Sequence, residues 1–93
     1  MATERQKQRK DDPDLAGQPL ASVPSGQRVR ISGYRGGRML RSRLMALGLS
    51  LGQEVDILQN NRGLIIVGVN GGRVALGRGI SQKILATPVV PGA

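Results

Sequence analysis

The chain contains no cysteine, no histidine, no tryptophan and no phenylalanine, and a single tyrosine, Tyr34. Without cysteine there is no disulfide framework, no thiolate metal site and no cysteine nucleophile. Without histidine it lacks the commonest general base and the commonest transition-metal ligand. Without aromatic side chains the core must be assembled from Leu, Ile, Val, Met and Ala, and the stacking platforms of many nucleic-acid binders are missing. No apolar run approaches the roughly 18 residues that span a bilayer, and the polar, charged first residues offer no signal-peptide core. These absences point to a cytoplasmic protein that holds no cofactor and has no catalytic centre.

What the chain does have is positive charge. Its 93 residues carry a formal net charge of +8. In residues 1–17 the basic and acidic side chains balance, so the excess belongs to residues 18–93, where the only acids are Glu54 and Asp56. Such a surface attracts nucleic acid, anionic lipid or an acidic protein face. The length allows one domain. Residues 1–17, rich in Lys, Arg, Gln and Asp, bury too little apolar surface to order themselves and read as a disordered charged tail. Residues 18–93 read as the folded domain.

Within that domain the pattern is mainly β. Pro19 to Val23 reads as one helical turn stopped by Pro24. Gln27 to Gly33 alternates, with Val29 and Ile31 inward and Arg28 and Arg30 outward. After Gly36-Gly37, residues 38–47 place Leu40, Leu44 and Leu47 on one helical stripe, with Arg38 and Arg41 on the side away from it. Gly48 suits the left-handed position that ends a helix. Glu54–Leu58, Leu64–Val69 and Arg73–Leu76 read as strands. Asn60 to Gly63 and Asn70-Gly71-Gly72 supply the turns between them. Ile80 to Ile84 reads as a helical turn, and Leu85–Val90 as a last, edge strand, because Pro88 removes a ladder donor. About five short strands and one helix after the first of them predict a small closed barrel. Any incompletely closed edge would let copies of the chain associate as a homo-oligomer.

No motif carries chemistry. Gly36-Gly37 lacks the Gly-Lys-Ser/Thr ending of a phosphate loop and serves the chain reversal into the helix. Glu54 and Asp56 share a strand face, but two carboxylates without a third ligand make a poor metal site. The features that suit a contact surface are the basic helix and the Gly-bounded loop behind it, where Leu49 and Leu51 form either the edge of the core or an apolar rim.

One ordered set of residues resembles a known family. It comprises Gly26-x-x-Val29-x-Ile31, Gly36-Gly37-x-x-Leu40, Arg43-Leu44-x-x-Leu47-Gly48-Leu49, Gly52-x-x-Val55-x-Ile57 and Arg73-Val74-Ala75-Leu76. Together these resemble the FeoA family from about Leu20 to Val90. The resemblance implies an SH3-like β-barrel and a non-enzymatic accessory of bacterial ferrous-iron uptake. Its partner would be FeoB, a membrane transporter with a cytosolic GTPase domain, which would recruit the domain to the inner face of the membrane. Similar domains end iron-dependent repressors, where they act as interaction modules. The candidate partner-binding residues are Arg41, Arg43, Met45, Leu49 and Leu51. A small basic barrel that binds nucleic acid is the alternative, weakened by the missing aromatics. The chain departs from the family pattern at Leu51, where proline is frequent, and in the short Asn60–Gly63 turn.

Overall fold

A computed structural model describes residues 17–89 of the chain. Residues 1–16, which hold nearly all of the expected charged tail, lie outside the described residues. Six antiparallel strands form one sheet: β1 (Gln18–Pro19), β2 (Arg28–Tyr34), β3 (Glu54–Asn61), β4 (Leu64–Val69), β5 (Gly72–Leu76) and β6 (Ile84–Pro88). Their order across the sheet is β1-β6-β2-β3-β4-β5. Two helices interrupt them, α1 (Arg38–Ala46) after β2 and the single turn α2 (Arg78–Ser81) after β5. A 3₁₀ turn at Leu20–Ser22 follows β1.

The sheet curls on itself without closing. β4, fifth in the order, touches the 3₁₀ turn that follows β1, the first. One buried cluster therefore draws on Leu20, Val29, Ile31, Val55, Ile57, Ile65, Val67, Leu76, Ile84 and Ala86, from one end of the sheet to the other. This is the SH3-like small barrel, and alternation along β2 builds it as expected. Val29 and Ile31 are buried while Arg28 and Arg30 face solvent.

Three details differ from the sequence reading. The sixth strand, β1, is two residues long and pairs only through Gln18 with Ala86 and Pro19 with Leu85. β6 is consequently an interior strand, flanked by β1 and β2, and not an edge. Pro88 is accommodated because it ends the strand, beyond the reach of β1, where the ring replaces no ladder donor. Lastly, α2 begins at Arg78, two residues before the expected start, with Gly77 as its N-cap.

The hairpin turns follow from backbone geometry. Asn70 and Gly71 both have positive φ, 54° and 78°, which matches the twist of two antiparallel strands. Arg62 and Gly63 repeat this at φ 54° and 90°. Here the turn is held by side chains. Asn60 Oδ1 accepts from the Gly63 N–H at 2.9 Å, and Asn60 Nδ2 donates to the carbonyls of Ala21 and Val23. The buried Ser81 hydroxyl donates to the Gly63 carbonyl at 2.6 Å. The short turn that departs from the family pattern is thus a clamp between β3, the 3₁₀ turn and α2.

Candidate protein-interaction surface

α1 is a helix whose only fully buried side chain is Leu44. Its termination explains this. The Gly48 N–H donates to the Met45 carbonyl at 3.0 Å and the Leu49 N–H to the Leu44 carbonyl at 2.9 Å, with Gly48 at φ 89°. These are the two bonds of a Schellman cap, which characteristically brings together apolar residues at the positions of Leu44 and Leu49. Leu49 is 0% exposed and belongs to the core. Its place among the partner-binding candidates is therefore corrected: the cap turns its side chain inward.

The expected core stripe is corrected too. Leu40 is half-buried, and Leu47 is 42% exposed, because the helix ends at Ala46 and Leu47 has already left helical geometry at ψ 0°. Arg41 does not lie opposite the stripe. It precedes Leu44 by three residues, a neighbouring position on the helical surface. Its guanidinium lies 5.9 Å from the centroid of the Tyr34 ring, within cation–π range. The Tyr34 hydroxyl donates to the Leu49 carbonyl, so the one aromatic ring ties β2, α1 and the loop behind the helix together. Partial burial pushes the Tyr34 hydroxyl above its ordinary pKa, and the nearby Arg41 charge opposes that shift.

The remaining candidates do face solvent. Arg41 and Met45, four residues apart, share one flank of α1. Arg43 shares the other flank with Met39 and Leu47, which the sequence reading left out as contact residues. Met39 and Arg43 also line the same shallow surface depressions beside the helix. Past the cap, Leu51 occupies a tight turn that leads to Gly52 at φ 85°. Met45, Leu47 and Leu51 are 56%, 42% and 57% exposed, an apolar rim at the C-terminal end of a basic helix. Of the missed residues Met39 carried a signal, four residues before Arg43 on the same flank; Leu47 did not, because its exposure depends on the helix ending at Ala46.

The carboxylates are occupied. Glu54 lies 2.8 Å from Arg30 and 3.3 Å from Arg28, and Asp56 lies 3.8 Å from Arg28, all across the β2–β3 pair. The hydrogen bond from Arg30 holds the Glu54 carboxyl below its usual pKa. Among the described residues no cluster of three metal-ligating acidic side chains forms. No helix among them is long and apolar enough to cross a membrane.

Comparisons with known proteins agree on kinship. The family model described as the FeoA domain matches residues 18–88. A relative from Methanocaldococcus jannaschii carrying the name Fe(2+) transport protein A is 30% identical over 67 residues, which cover 72% of this chain and 82% of the relative. The crystal structure of an iron uptake regulatory protein, FeoA, aligns with a TM-score of 0.70 at 28% identity, covering 77% of this chain and 96% of that one. A manganese-dependent transcriptional repressor aligns with a TM-score of 0.71 over 78% of this chain but 41% of its own, and at 18% identity it shows a shared fold alone.

Proposed function

The chain belongs to the FeoA family, and from that premise we propose that it serves ferrous-iron uptake as a non-enzymatic accessory protein. It binds the FeoB transporter on the cytosolic side, at the GTPase domain. The contact is made by the C-terminal half of α1 and the turn behind it: Arg41, Arg43, Met45 and Leu51, together with Leu47. The arginines steer toward an acidic partner face, and the three apolar side chains supply area that leaves water on docking.

The observation that carries this reading is the exposure of Met45, and of Leu47 and Leu51 just past the helix end, beside a helix that fully buries a single side chain. Such a helix is poorly used by the fold, and its apolar rim suits a contact surface. An enzymatic role lacks its parts: there is no histidine or cysteine, and both carboxylates of the barrel are ion-paired to arginines. The same pairing argues that iron is the cargo of the partner and is not held here.

Co-purification of the full chain with FeoB, and separately with the isolated GTPase domain, tests the proposal. Capture by both is expected. Failure to bind full-length FeoB in membranes refutes it.

A further inference from the structure

Residues 18–93 contain ten Lys or Arg against Glu54 and Asp56. Both acids are satisfied by Arg28 and Arg30, and no other ion pair forms among the described residues. The remaining cations are uncompensated there, and several of them converge at one end of the barrel. Arg35 leaves β2, and its N–H donates to the Lys83 carbonyl at 2.7 Å, just beyond the paired Tyr34 and Ile84. Three residues later α1 opens with Arg38 and Met39. Arg35, Arg38 and Lys83 are exposed, and Met39 is 86% exposed. The first turn of α1 contains no acid. A helix N-terminus favours acids over cations, so folding stability does not account for a basic residue at this place.

We infer that this end of the molecule docks on a bilayer that carries anionic headgroups, with Arg35, Arg38 and Lys83 on the headgroup plane and Met39 entering the interfacial layer. Exposed cations from separate elements, one of them adjacent in sequence to an exposed unbranched apolar side chain, match an extended negative plane. A nucleic acid fits less well. Tyr34, the one ring available for base stacking, is engaged on its face by Arg41 and through its hydroxyl by Leu49. The inference stands apart from the FeoB reading, since it uses the N-terminal end of α1 and not the rim at its C-terminal end.

Sedimentation of the full chain with phosphatidylcholine vesicles, with and without about a third phosphatidylglycerol, tests it. Binding to the anionic vesicles is expected, falling steeply with salt, with little binding to the neutral ones. Each cation near the surface contributes on the order of fivefold, so Arg35→Gln, Arg38→Gln and Lys83→Gln together weaken binding by about a hundredfold. Met39→Ser weakens it several-fold and leaves the salt dependence unchanged. Since no protein partner is present, the outcome is independent of FeoB. Equal binding to neutral vesicles, an unaffected triple variant with an unchanged thermal midpoint, or tighter binding to duplex DNA at the same salt each overturns the inference.

Discussion

Leu49 and Leu51 lie two residues apart, yet the structure assigns them opposite fates. Leu49 is 0% exposed and Leu51 is 57% exposed. Truncating a buried leucine to alanine removes its transfer free energy and leaves a cavity, which together cost about 2–5 kcal/mol. A folded unit of this size is stable by only about 4–10 kcal/mol in total, so Leu49→Ala forfeits a large part of it. At about 4–8 °C per kcal/mol, the thermal midpoint falls by at least about 8 °C. Leu51→Ala changes stability by about 0.5 kcal/mol or less. Urea unfolding followed by far-ultraviolet circular dichroism reads both, and Tyr34 emission provides a second probe beside the Leu49 carbonyl that its hydroxyl contacts. Leu44→Ala and the Leu44→Ala/Leu49→Ala double variant complete a cycle. The Schellman cap predicts that the two losses are non-additive by at least about 0.5 kcal/mol. A Leu49→Ala protein as stable as the parent would refute the burial argument and return Leu49 to the candidate surface.

Other outcomes rest on the same geometry. Gly48→Ala places a Cβ at φ 89° and 3.0 Å from Asn70 Nδ2, so the helix cap weakens and stability drops by about 1–2 kcal/mol in the same urea assay. The Glu54 pKa is lowered by folding, so its stabilising contribution is complete above the ordinary value of 4.5 and is lost as pH falls below it. Glu54→Gln should therefore flatten the acid limb of the stability–pH profile, and more so at low salt; an unchanged limb would show that the Arg30 bond contributes nothing. Calorimetry with Fe(II) at neutral pH should detect no micromolar site, because metal binding would have to displace Arg28 and Arg30 from the two carboxylates.

Much of the fold was legible because its strands obey a period of two. Val29, Ile31, Val55 and Ile57 alternate with charged residues, and the structure buries all four. β1 was not legible. Two residues show no period, and Gln18 and Pro19 become a strand only because β6 lies beside them. That pairing also moved β6 from the edge to the interior. β3 runs past its alternating stretch to Asn61 through a register shift between Ile57 and Gln59, and the alternation fails there: Leu58 is exposed in turn after the buried Ile57, but Gln59 is exposed as well. In the candidate surface, Arg41, Arg43 and Met45 were readable as exposed from their position on a basic helix. Leu47, Leu49 and Leu51 were not, since their directions are set by where the helix stops and how the chain leaves it. The Leu44-to-Leu49 relation across Gly48 is the local signal that decides it.

The central claim is that the C-terminal rim of α1 is the surface that meets FeoB. Binding of the isolated FeoB GTPase domain to three proteins tests it most directly: the parent chain, the Met45→Glu/Leu51→Glu variant, and Leu64→Glu, which alters an exposed leucine on β4. All three should stay folded, since each change is at an exposed site. The parent and Leu64→Glu should bind alike, and the rim variant should bind at least about tenfold more weakly, because it places two charges where apolar side chains leave water. A folded rim variant that binds as tightly as the parent would contradict the claim.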